Sequence, residues 1–383
     1  MKLYTSIFLL IFILVLGPFS PPADAGGFER VKLPIAYRTW TLKTDDGTAE
    51  KSISQFVIPA ITTIALAPAT DLVVSLGGGA SSLELENGSN LNLNGPTDGT
   101  AQVFHHFADN HALVHAGLSI PSGKTELDTL DERSVAVLLG NPVLGFPLRE
   151  YGRGLDLSMG AAYAKSLGRG VVLGFGGGLI KHGAYTIYEG DKEYLPGLET
   201  SISIGLDGVL AKPRGTLLRL DATYRFFSTD EYDEASVFTQ GDQMVLQSRT
   251  KTHSDRYRID TFGRVIIQAK NVRHENGPGD NTKEIEASSG TQIFLSAIGQ
   301  KRISDDIWIG LLGEWNQFSG SDMDGLNGSA FGVGPTLTKQ MGSTLSVQLR
   351  TGLLSGSIDG DDSYPGIDLN GFNASLHLSL TPQ

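Results

Sequence analysis

The chain has no cysteine among its 383 residues. That excludes a disulfide framework, thiolate catalysis and any cysteine-ligated metal, so stability must come from backbone hydrogen bonding and packing. Basic clusters are missing as well. Thirty Lys and Arg stand against 42 Asp and Glu, a formal charge of -12. No local run of Lys and Arg is dense enough to neutralise successive phosphates, which removes nucleic acid from the expected partners. Long apolar runs are confined to the start. Lys2, the run 7–16 and the small residues Ala23-Asp24-Ala25 read as a secretory signal peptide over 1–25, too short in its apolar part to span a bilayer as a helix. Beyond it no stretch reaches helical spanning length, so a helical membrane protein is excluded.

What the chain does have is glycine, 48 in all, and period-2 alternation. Leu218, Leu220, Ala222, Tyr224 and Phe226 alternate with Arg219, Asp221, Thr223 and Arg225. The same pattern runs through Tyr257 to Gln268, Leu345 to Arg350 and Phe372 to Leu380. Segments of about ten residues with one apolar and one polar face suit tilted membrane-crossing strands. A soluble sandwich would bury such faces equally well, and the connections decide between the two. Short turns near 67–70, 108–110, 166–169, 211–215, 250–254, 300–305 and 339–343 alternate with long polar loops, among them 86–99 and 121–153. Short turns carry Lys165, Arg169, Lys212, Arg214, Lys301, Arg302 and Lys339; long loops carry Asp230, Glu231, Asp233, Glu234, Asp359, Asp361 and Asp362. This is the asymmetry of an outer-membrane barrel. The expected fold is an all-β, antiparallel up-and-down transmembrane barrel over 26–383, with about 16 strands and 14 as second choice.

Several motifs invite chemistry and fail on spacing. Ser122-Gly123-Lys124-Thr125 has the tail of a phosphate-binding loop, but Leu118 stands where the first glycine is required; a strand-to-loop turn is the expected role. Gly174, Gly176, Gly177 and Gly178 lack a third glycine at Leu179. His105, His106, His111 and His115 bracket one hairpin without an acidic partner and read as lumen residues rather than a metal site. His253 and Ser254 are adjacent and face opposite sides of a strand, so no hydrolase is expected. Asp322 and Asp324, like the 359–362 cluster, miss the calcium-loop pattern. No cofactor, metal or catalytic residue is expected.

The stretches "LSIPSGKTELD", "GNPVLGFP", "GRGLDLSMGAAYAKSLG" and "YLPGLETSISIGLDG" resemble outer-membrane barrels of the FadL-like hydrophobic-compound transporter group and their porin-like relatives, most strongly over 102–208. Pro121, Gly123 and Lys124 match a run that lies, in that group, where a strand enters a long outer loop. The resemblance implies uptake of hydrophobic or amphipathic compounds. It does not extend to the group's N-terminal plug, because Val31 already begins an alternating strand.

The residues most expected to carry function are the stripe Arg219, Arg225, Arg249, Arg256, Arg258 and Arg264, placed by alternation on the polar face. Such a stripe would draw anionic solutes into a lumen, or would simply pair with Asp221 and Asp260. A second set is Val135, Leu138, Leu139, Val143, Leu144 and Phe146, too apolar for a loop left in water. They are expected to fold over or into the mouth as an entry pocket, or to cap it through a short helix over 128–139. The function read from these features is a passive channel in the outer membrane of a Gram-negative bacterium. It would contact the bilayer and lipopolysaccharide and pass small, hydrophobic or amphipathic anionic solutes. The alternative is a non-transporting surface protein that binds a partner or lipopolysaccharide through its acidic loops.

Overall fold

A computed structural model describes residues 28–381 apart from positions 46, 48–49, 110, 128, 189, 212–214, 276–280, 286–288, 322–325 and 361–364. The signal segment 1–25 lies outside the described residues, as do Lys212, Arg214, Asp322, Asp324, Asp361 and Asp362.

Sixteen antiparallel strands close into a barrel. They are β1 (Phe28–Thr44), β2 (Glu50–Val57 continued by Ala60–Ala67), β3 (Thr70–Leu76 and Gly78–Glu84), β4 (Asn90–Pro96 and Gly99–Phe107), β5 (Ala112–Ile120), β6 (Asp156–Gly168), β7 (Val171–His182) and β8 (Glu199–Ala211). The wall continues with β9 (Thr216–Phe227), β10 (Gln243–His253), β11 (Tyr257–Gln268), β12 (Gly290–Arg302), β13 (Ile307–Ser319), β14 (Gly328–Met341), β15 (Leu345–Ile358) and β16 (Ile367–Leu380). Closure comes from β1 on β16, in register from Val31 opposite Leu380 to Thr44 opposite Ile367. Closing the sheet leaves no unpaired edge, the condition for a sheet to survive in lipid.

Two of the three broken strands have separate, visible causes. In β2, Pro59 has no N–H to donate, yet Ala36 opposes Val57 and Lys32 opposes Ile61, so register is kept across the gap. In β4 register slips: Gly79 opposes Gly95 but Ser75 opposes Thr100, one residue too many on β4. The extra residue is a bulge at Thr97-Asp98, which bends the strand and re-aims a side chain.

Alternation sorts the wall faces. Leu220, Tyr224 and Phe226 on β9, Ile202 and Ile204 on β8, Leu311 on β13 and Leu353 on β15 are exposed on the outside. They form the apolar belt that spans lipid, and a closed even-stranded barrel with such a belt belongs to the outer membrane. Short turns close one end. At the other, residues 121–155 form the longest connection, and a separate six-stranded sheet stands above β7–β12, built from Tyr185–Thr186, Glu193–Leu195, Thr229–Tyr232, Ala235–Thr239, Asn271–Glu275 and Asn281–Ile285.

One expected loop is corrected. Residues 86–99 are not a long polar loop: Asn90–Pro96 is wall strand, and the reversal is confined to 85–89. The asparagines hid it. Asn90, Asn92 and Asn94 point out while Leu93 is buried inside, the reverse of the lipid-facing pattern.

Candidate functional site: the lumen and its folded loop

The inversion at Leu93 has a cause inside the barrel. Trp40 and Leu42 of β1, Ile53 of β2, Leu83 of β3, Leu93 of β4, Phe318 of β13, Ala330 of β14, Leu354 and Ile358 of β15 and Leu369 of β16 all face inward and are buried. They pack on Val135, Leu139, Val143, Leu144, Phe146 and Tyr151 from the connection 121–155. That connection therefore folds into the barrel and fills the half of the lumen bounded by β1–β4 and β13–β16. The helix expected over 128–139 is present as α1 (Leu130–Gly140). Its start follows from Thr129, whose hydroxyl oxygen accepts the Glu132 N–H at 3.2 Å, and from Asp131 and Glu132 in the first turn. Lys124 reaches Glu132 at 2.6 Å and ties the incoming chain to the helix.

The loop's neck is tied by the bulge residue. The carboxylate of Asp98 accepts the N–H of Gly123 at 2.8 Å, of Arg153 at 2.6 Å and of Gly154 at 3.2 Å, joining the entering and leaving strands. Gly123 is obligatory here, because an added Cβ would lie 2.1 Å from the Tyr151 carbonyl oxygen. Gly123 thus serves a strand-to-loop turn, as expected. Asp98→Ala removes three charge-assisted bonds and is expected to loosen the neck by at least about 2 kcal/mol. Faster proteolysis between residues 121 and 155 would show it; unchanged cleavage would mean that the interior packing alone holds the loop.

The far side of the loop is latched to the wall by polar groups. Trp40 Nε1 donates to the Leu144 carbonyl at 2.8 Å, and Arg38 donates to the carbonyls of Leu144 and Gly145 at 3.2 and 2.7 Å while pairing with Glu314 at 2.5 Å. Asn316 donates to the carbonyls of Pro142 and Val143. Gln55 pairs with Leu148 as a strand backbone would, donating to its carbonyl at 2.7 Å and accepting its N–H at 3.0 Å. Backbone groups of a loop crossing a barrel have no ladder of their own, and these side chains supply the missing partners.

The remaining lumen holds a cavity of about 710 Å³. The loop contributes Val143, Gly145 to Glu150; the wall contributes Phe262, Arg264 and Ile266 of β11, Gln292 and Phe294 of β12, and Arg38, Glu314 and Asn316. Of the sequence-selected apolar set, Val135, Leu138 and Leu139 are consumed in the contact with the wall, and Leu144 is fully buried there; Val143 and Phe146 also border the cavity.

Five of the six selected arginines lie on lumen faces. Register pairs Arg219 of β9 directly with Arg249 of β10 and Arg249 with Phe262 of β11. Arg219 bonds Asp221 at 2.9 Å, and Arg225 lies 3.6 Å from Glu199. Arg258 stacks its guanidinium 3.8 Å from the Trp308 ring. Arg264 leaves its buried Nε without a hydrogen-bond partner. Arg256 stands apart, exposed in the turn between β10 and β11 rather than on a wall strand. Sequence reasoning missed Arg149, which stands in an irregular stretch, and passed over Arg38, Phe262 and Phe294, whose place in the lumen depends on which loop and wall residues the closed barrel brings beside them. The four hairpin histidines do not converge: His115 stacks on Phe104 on the inward face, whereas His105, expected in the lumen, lies on the outward face with Val103 and Phe107 and bonds Thr70; no group of three or more metal-ligating side chains occurs among the described residues.

Fold and lumen together define the class: a 16-stranded outer-membrane β-barrel narrowed by an inward-folded loop. The sequence matches no protein-family model and no curated protein. Among solved structures, the chain is similar to OccK7 (OpdD) of Pseudomonas aeruginosa, with 11% identity over 92% of this chain and 99% of that one and a TM-score of 0.41. It is similar to OprB of Pseudomonas putida, with 10% identity over 92% and 94% and a TM-score of 0.44. The outer membrane channel DcaP of Acinetobacter baumannii shares 10% identity over 94% and 99%, with a TM-score of 0.43. The barrel assignment comes from this chain's own closed ladder of strands.

Proposed function

We propose that the protein is a passive outer-membrane channel for small amphipathic anions. The observation that carries this reading is the division of the lumen. A wall of 16 strands is too wide for its own side chains to fill; the loop occupies one half, and the half left open is bounded by β5–β12, where Arg219 and Arg225 are matched by Asp221 and Glu199 while Arg249, Arg258 and Arg264 also face inward. Fixed positive charge in a narrow low-dielectric passage raises the local concentration of anions even in a protein of net charge -12. The apolar lining from Phe146, Phe262 and Phe294 favours solutes with an apolar body. In a planar bilayer under a salt gradient, the reversal potential is expected to report anion preference, reduced in Arg249→Ser with Arg264→Ser. Cation preference that those changes leave untouched would confine the arginines to a structural role. A protein that never conducts would favour the surface-binding alternative.

A further inference from the structure

The charges around the 710 Å³ cavity do not cancel. Arg38 is neutralised by Glu314 at 2.5 Å, and Glu314 also accepts from Asn373 at 3.1 Å. Glu150 is neutralised by Arg153 at 2.6 Å. What is left is Arg149 on the loop and Arg264 on β11, and neither guanidinium makes a hydrogen bond or ion pair with any described residue. Burial first, then the charge of Arg264, pushes the Arg149 guanidinium down from its usual range, against the opposing pull of the neighbouring Glu150 carboxylate. Arg149 nonetheless opens onto the lumen. Two guanidiniums without a bonded partner, one on the loop and one on the wall, are costly unless something anionic comes between them.

Beside Arg264 on the same inward face, Phe262 and Phe294 meet at 6.0 Å between ring centres with planes tilted by 54°, and Ile266 continues the apolar surface. An apolar wall therefore adjoins a two-arginine fork. The volume is that of a small-molecule site rather than of a bare pore.

We infer that this cavity is a saturable binding station for monoanionic aryl carboxylates, the carboxylate held between Arg149 and Arg264 and the ring lying against Phe262, Phe294 and Ile266. Guanidinium forks match a carboxylate bidentately, and an aromatic body fits the edge-and-face geometry that the phenylalanine pair presents. The inference deepens the channel reading and rests on it for its biological sense, but binding and conduction are separately measurable.

The test uses the full protein in detergent micelles, with benzoate as probe and acetate and benzyl alcohol as controls, followed by calorimetry. Benzoate is expected to bind saturably at one site, acetate at least tenfold more weakly and benzyl alcohol not detectably. Arg149→Gln with Arg264→Gln is expected to weaken benzoate at least tenfold; Phe262→Leu with Phe294→Leu is expected to erase the preference over acetate while leaving acetate binding unchanged. Each variant is first checked for the mobility shift on heating that marks a folded barrel. Undiminished benzoate binding by the folded double-arginine variant, or equal affinity of the native protein for benzoate and acetate, overturns the station. Bilayer conductance separates the two readings: binding without conductance removes the channel and keeps the station, and conductance without benzoate binding does the reverse.

Discussion

Leu220→Arg is expected to prevent stable insertion of the barrel, whereas Thr223→Arg, three residues along the same strand, is expected to be tolerated. Leu220 is 41% exposed on the outer face of β9, in line with Tyr224 and Phe226. Thr223 faces the lumen between Asp221 and Arg225 and opposes Val245 of β10. An arginine on the lipid face costs about 2 to 4 kcal/mol near the bilayer midplane, while lumen substitutions retune an aqueous surface. Urea unfolding in lipid vesicles reads the difference directly. Equal stabilities for the two variants would invert or abolish the inside–outside assignment on which the arginine wall depends.

Shortening the loop should have the largest effect on transport. Replacing residues 126–150 with a brief Gly-Ser linker is expected to raise single-channel conductance several-fold and to lower thermal stability, because the loop both occupies half of the lumen and covers Trp40, Ile53, Leu83, Leu93 and Leu369. A point change separates the two consequences. Trp40→Ala removes the bond to the Leu144 carbonyl and a fully buried ring, at a cost of about 3 to 5 kcal/mol for a large aromatic. It is expected to produce frequent transitions to the larger conductance in a barrel that still closes through β1 and β16. Steady native conductance in both variants would mean that the constriction lies elsewhere.

Much of the barrel was legible in the sequence because its signal is local. A strand of the wall needs only its own alternation to declare which face meets lipid, and β9, β11, β15 and β16 did so through residues such as Leu220, Ile259, Leu349 and Leu376. The strand count of 16, the polar face that carries Arg219, Arg225, Arg249, Arg258 and Arg264, and the helix near 128–139 follow from patterns a few residues long. The strand Asn90–Pro96 was not legible, since its apolar face serves the loop rather than the membrane. Alternation there says that a face is buried but not by what.

Only the tertiary structure decided where the loop goes and which charges are left over. Trp40 and Leu144 are 104 positions apart, and Asn316 and Val143 are 173 apart; no periodicity links them. Arg149 was one arginine in an irregular stretch until the fold set it across from Arg264, and Arg38 was one more wall cation until Glu314 neutralised it. The sequence by itself determined which face of each clear strand is apolar, because that depends on the covalent alternation of side chains along an extended backbone. The unpaired charge of the lumen depends on which side chains a closed barrel brings within reach across its interior, and that is a property of the folded chain alone.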